Sequence, residues 1–106
     1  MGEWEPMSRS NDAVLAGRWV RDPRVHSVEL DGEALLYDGR SGRVHHLNTS
    51  ACLIWSSLGQ DVTGAELATE FAAAFGVPFD IMAGQVADAL GMMAAEDLVV
   101  EYPREE

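Results

Sequence analysis

Residues 25–55 read VHSVELDGEALLYDGRSGRVHHLNTSACLIW. Two short β-favouring runs flank Asp31-Gly32. Glycine accepts a positive φ and aspartate tolerates one, so this pair is a strong signal for a two-residue hairpin. Val25–Leu30 and Glu33–Tyr37 are therefore predicted as the first two strands. The loop from Asp38 to Gly42 carries two glycines and has hairpin length. Arg43–Leu47 is predicted as the third strand, and three strands joined by two tight turns make an antiparallel meander. Asn48 then reads as an N-cap. Ala51, Ile54, Trp55 and Leu58 recur at helical spacing, which predicts a helix over Thr49–Leu58. Gly59 stands where a glycine commonly closes a helix.

Working outward, Thr63 and Glu66 form the T-x-x-E pattern of a capping box, with Val62 and Leu67 placed as a hydrophobic staple. Leu67, Phe71 and Phe75 share one face of the second helix, which Gly76 and Pro78 end. Asp80 is expected to cap the third helix, with Met82, Val86, Ala89, Leu90 and Met93 as its apolar stripe. Gly84 and Gly91 each weaken that helix by ~1 kcal/mol relative to alanine; such small residues also allow another backbone to come close. Leu98–Tyr102 is β-favouring and reads as a closing strand. Upstream, Gly17–Arg21 supplies an earlier extended piece, ended by Pro23. Residues 1–17 show no sustained period and read as a mobile arm or a weakly docked extension, in which Trp4 is either an anchor or exposed. The organisation expected is an arm over 1–17 and one domain over 18–106. Its fold class is α+β: a three-stranded antiparallel β-meander followed by three α-helices that bury one sheet face. The third strand leads straight into the first helix and is placed at the sheet edge. Edge N–H and C=O groups without a neighbour accept a further strand.

The chain has 106 residues with 47% apolar content, enough for one core. Its net charge is −11, and every base is arginine. The charge is uneven: −2 over residues 1–17, zero over 18–59, and −9 over 60–106, where Arg104 is the sole base. Such a field repels phosphate backbones and argues against nucleic-acid binding. Solubility is the plain reading of the acidity. The N-terminus lacks the apolar segment of a secretory signal, and no run approaches the ~20 apolar residues of a membrane span. A cytoplasmic protein with no membrane association is expected. Oligomeric state leaves no mark in the sequence.

No catalytic motif is found: the sequence has no G-x-S-x-G, phosphate loop, H-E-x-x-H or C-x-x-C. The carboxylates are dispersed over helical faces and turns. His45 and His46 are adjacent on a strand and point to opposite faces, so one metal ion cannot easily use both. Cys52, the single cysteine, sits among apolar helix positions and reads as a small core residue. It has no evident base to make it a nucleophile. No metal, cofactor or enzymatic activity is expected. Met82, Met92 and Met93 lie in one helix, and methionine suits both irregular cores and adaptable binding surfaces. The core reading is preferred for Met82 and Met93, and for Trp55.

From Leu30 to Tyr102 the sequence resembles the PqqD-like family of peptide-recognition elements. The likeness is carried by Asp31-Gly32-Glu33, Leu35-Leu36, Ser41-Gly42, the run Leu47-Asn48-Thr49-Ser50-Ala51, and Ile54-Trp55. It continues through Leu67 to Phe75 with Gly76-Val77, Val86 to Leu90, and Asp97-Leu98-Val99. The resemblance implies a winged-helix-like fold and a non-catalytic role. It implies binding the leader segment of a ribosomally made precursor peptide, which adds as a strand to the third strand and lies beside the third helix. Backbone hydrogen bonds would give affinity and side-chain pockets choice. Carried over by position, the binding strand is Arg43, Val44, His45, His46 and Leu47, faced by Met82, Gln85, Val86 and Ala89. Arg40 and Arg43 are further candidates to meet leader carboxylates. The partners implied are the precursor peptide and a modifying enzyme, such as a radical-SAM maturase or a leader peptidase. Residues 1–17 have no counterpart in the family pattern.

Two readings compete. An acidic accessory subunit or chaperone of an unrelated enzyme would bind through the acidic helical half. A DNA-binding winged helix would read with its third helix, yet residues 79–95 contain Asp80 and Asp88 and no base.

Overall fold

The computed structural model describes residues 11–58 and 62–101. Trp4, Gly59, Tyr102 and Pro103 lie outside them. Along the chain the elements are α1 (Asn11–Ala16), β1 (Trp19–Arg21), β2 (Val25–Leu30), β3 (Glu33–Asp38), β4 (Arg43–Leu47), α2 (Thr49–Ser57), α3 (Gly64–Phe75), α4 (Phe79–Ala95) and β5 (Val99–Glu101). The predicted meander is β2-β3-β4 in that order, antiparallel throughout. The three predicted helices follow it as α2, α3 and α4.

Local chemistry accounts for the junctions. Asp31 (φ 53°) and Gly32 (φ 81°) both adopt the left-handed conformation that the two-residue turn requires. Asn48 caps α2 by accepting from the Ala51 N–H at 2.9 Å. The capping box of α3 is complete: Glu66 N–H donates to Thr63 Oγ1 at 3.0 Å, and Thr63 N–H donates to Glu66 Oε1 at 2.8 Å. Gly76 closes α3 at φ 67°. The start of α4 differs from expectation. Pro78, not Asp80, is the N-cap, and it has no side-chain bond to offer. Its fixed φ sets the chain for helix entry, and Asp80 falls inside the first turn, where its charge favours the helix dipole.

Alternation along the meander fixes which face is buried. Ala34, Leu36 and Asp38 of β3 are buried while Glu33, Leu35 and Tyr37 are exposed. The inner face packs on the helices, around Trp55, Leu58, Leu67, Val86, Leu90, Met93 and Leu98, each 1% exposed or less. The buried side of α4 is the stripe read from the sequence: Met82, Val86, Leu90 and Met93 are core residues. Cys52 is buried and unbridged.

Two parts of the fold go beyond the expected plan. Residues 11–17 are the docked alternative of the two readings: they form α1 and its exit, with Val14 buried and the Trp19 indole N–H donating to the Val14 carbonyl at 2.9 Å. Gly64 makes the docking possible: a Cβ there would sit 3.0 Å from Leu15 Cα and 3.2 Å from Leu90 Cδ1. The closing strand pairs with β1 and stays apart from the meander, giving a separate two-stranded sheet with Arg21 opposite Val99. The glycines of α4 bring no backbone close. A Cβ at Gly84 or Gly91 would meet nothing within 4 Å.

Candidate functional site

β4 is an edge strand, with β3 on one side and no neighbour on the other among the described residues. The register shows which of its main-chain groups face outward. A two-residue turn makes the flanking pair Leu30–Glu33 hydrogen-bonded, and bonded pairs then alternate along an antiparallel ladder. Ala34, Leu36 and Asp38 consequently bond toward β4, where they stand opposite Leu47, His45 and Arg43. The N–H and C=O groups of Val44 and His46 are the ones directed at the open edge.

Side chains of β4 divide by face. Leu47 is buried and His45 half-buried on the helix side. Val44 and His46 project from the outer face, with Val44 62% exposed. His46 Nε2 lies 2.6 Å from Glu33 Oε1 across that face. Arg43 pairs with Glu96, the C-cap of α4, at 3.5 Å. This contact joins the start of β4 to the end of α4.

Beyond β4 the chain lines a groove of about 730 Å³ between the start of α2, the end of α3 and α4. Its walls are largely apolar: Leu53 and Ile54 from α2, Phe71 and Phe75 from α3, Met82, Ala89 and Met92 from α4. Leu53, Phe75 and Met92 are each exposed by two fifths or more, so the groove is open to solvent. Phe71 and Phe75 stack at a tilt, 6.0 Å between centroids. Of the α4 positions read from the sequence, Met82, Gln85 and Ala89 line the groove, whereas Val86 is fully buried beneath it. Leu53, Phe75 and Asp88 are not among the site residues read from the sequence, and Met92 enters there only as one of three helix methionines suited to a core or to a binding surface. Helical spacing from Gln85 could have found Asp88 and Met92, which lie three and seven residues on.

A charged corner supports the start of β4. Arg40 binds Asp38 through Nε at 3.0 Å and Nη2 at 3.1 Å, and reaches Asp22 at 3.5 Å. Arg24 grips the other side of Asp22, through Nε at 3.1 Å and Nη2 at 3.0 Å. Both aspartates are buried. The Arg24 side chain, then its main-chain N–H, hold the Asp22 carboxyl below the ordinary aspartate value; burial opposes them. Arg40 does the same for Asp38. Arg40 is therefore committed to the fold, which corrects its reading as a partner for leader carboxylates. Among the described residues no three of His, Cys, Asp and Glu gather as a metal-binding group. No helix among them is long and apolar enough to cross a membrane.

The sequence profile of the family described as coenzyme PQQ synthesis protein D (PqqD) matches residues 33–99. No curated protein sequence matches the chain. Two solved structures share its fold. One, TbiB1 in complex with the TbiA(beta) leader peptide, is 22% identical with a TM-score of 0.71, covering 80% of this chain and 99% of that one. The other, lasso peptide synthetase B1 complexed with the leader peptide, is 22% identical with a TM-score of 0.70, covering 78% of this chain and 98% of that one. The expected α+β architecture is thus that of the two solved structures, with α1 and the pairing of the expected closing strand with β1 added to the plan.

Proposed function

The chain belongs to the coenzyme PQQ synthesis protein D family, and from that membership we propose that it is a non-catalytic module that binds the leader segment of a ribosomally synthesised precursor peptide. The leader adds as a strand to β4 and presents the rest of the precursor to a maturation enzyme, such as a radical-SAM maturase or a leader peptidase. The observation that carries this reading is the free edge of β4, a strand that runs straight into Asn48, where the lining of an open apolar groove begins. An incoming strand finds main-chain partners at Val44 and His46, and strand addition of this kind supplies affinity that is largely independent of sequence. Its side chains alternate between the outer sheet face and the helix side. Those on the helix side are offered Leu53, Phe75, Met82 and Met92. Arg43, His45 and Leu47 hold β4 on β3, while Gln85 and Ala89 complete the α4 wall. The two structural relatives bear leader peptides, which agrees with this use of the fold.

The reading is tested by titrating the purified protein with a synthetic leader peptide taken from a precursor gene beside this one, following amide NMR shifts. Saturable shifts centred on Arg43–Leu47 and α4 are expected. A titration that leaves Arg43–Leu47 unmoved at high peptide concentration contradicts it.

A further inference from the structure

Among the described residues, the groove between α2, α3 and α4 is lined by one ionisable side chain. Asp88, on α4, is exposed and lines it together with apolar residues and uncharged polar ones from the start of α2. Glu96, further along α4, is already engaged by Arg43. No cation of the described residues pairs with Asp88, and α4 itself carries no base. Water solvates this carboxylate while the groove is open. A peptide strand laid over it removes that water, and a carboxylate covered without a partner is costly. The occupant must therefore bring compensation to this point.

We propose that the leader recognised here carries a lysine or arginine facing Asp88, so that this residue selects for a basic side chain in the groove. The inference rests on the leader-binding reading above and adds the charge of the substrate to it. The field of the molecule acts in the same direction. Residues 60–106 carry −9, and such a surface draws cationic segments and slows anionic ones. Spacing refines the motif. Groove-facing residues of an extended strand recur every second position, ~6.7 Å apart. Asp88 lies four residues from Met92 and six from Met82 along α4, axial separations of ~6 and ~9 Å at 1.5 Å per residue. Both separations are nearest to one such step, so the basic residue falls two positions from the apolar residue that fills the groove.

The test is a selection from a random peptide library displayed against the wild-type protein and against Asp88→Asn, with NMR mapping of the recovered peptides. Asp88 is exposed, so the variant retains the fold. Wild type should enrich Lys or Arg two positions from an apolar residue. Asp88→Asn should keep the apolar enrichment and lose the basic one. Individual peptides should bind the variant about two- to fivefold more weakly at low salt, the range of a solvent-edge ion pair, with the difference shrinking as salt rises. Peptides that shift Arg43–Leu47 with equal basic content in both selections overturn this inference alone. A selection without binders, or binders that leave Arg43–Leu47 unmoved, overturns the leader-binding reading and this inference with it.

Discussion

Arg40 Nη2 donates to the main-chain carbonyl of Asp97 at 3.0 Å, joining the β3–β4 turn to the α4–β5 corner across 57 residues of sequence. The same guanidinium holds Asp38 and reaches Asp22. Asp97 sits at φ 61°, a conformation that a non-glycine residue keeps only where its surroundings hold it. This corner fixes where β4 begins relative to the end of α4. Arg40→Gln removes the clamp and leaves two buried carboxylates short of donors. Thermal unfolding should move down by roughly 5 °C or more. Amides of Arg43 and Asp97 should shift in the variant. An unchanged melting curve would show that the corner does not depend on Arg40.

Acid should undo the same corner. Asp22 and Asp38 have folded-state pKa values below that of an unfolded aspartate, chiefly through their arginine hydrogen bonds. Their contribution is complete above the unfolded value, ~3.9, and is lost as pH falls through the lower folded values. Urea denaturation between pH 6 and pH 2 should show stability falling below about pH 4. In Asp22→Asn and Asp38→Asn the protein should be less stable at pH 6, with a shallower acid decline. A parallel decline in wild type and both variants would remove these aspartates from the account.

Core and groove should separate cleanly in mutagenesis. Leu90 is fully buried, and Leu90→Ala should cost about 2–5 kcal/mol of stability. Met92, two residues on, is 43% exposed in the groove. Met92→Ala should change stability by less than about 1 kcal/mol while weakening peptide binding. Chemical denaturation and peptide titration of both variants check this. A Met92→Ala variant that binds as wild type does would take the groove out of the site.

Glycines of the helical half should respond in opposite senses. A methyl at Gly64 meets the backbone of α1, so Gly64→Ala should destabilise by about 1–3 kcal/mol. A methyl at Gly84 projects into open space within a helix, so Gly84→Ala should stabilise by up to about 1 kcal/mol. Melting temperatures of the two variants decide it. Equal effects would contradict the close packing of α1 on α3.

The features legible in the sequence are those set by neighbours along the chain. Asp31-Gly32 dictates its turn through φ alone, and Thr63 with Glu66 dictates a cap through two local hydrogen bonds. Features that depend on contacts across the fold were not legible. α1 spans six residues with Val14 as its one buried side chain, too short to show a period, and it exists because Gly64 leaves room for it. The β1–β5 pair joins three-residue strands from opposite ends of the described chain. In α4 the stripe was read correctly, but its edge was not. Val86 and Ala89 both lie near the boundary, and only packing shows that the first is buried while the second lines the groove. Arg40 read as a free cation, although Asp38 two residues earlier marks a local side-chain bond.

Amide hydrogen exchange of β4, with and without a bound leader peptide, tests the central claim most directly. His45 and Leu47 should be protected in both states, because their main-chain groups already bond to β3. Val44 and His46 should exchange rapidly in the free protein and become protected when the peptide pairs with them. Protection of Val44 and His46 in the free protein, or rapid exchange of both at saturating peptide, would contradict strand addition at this edge.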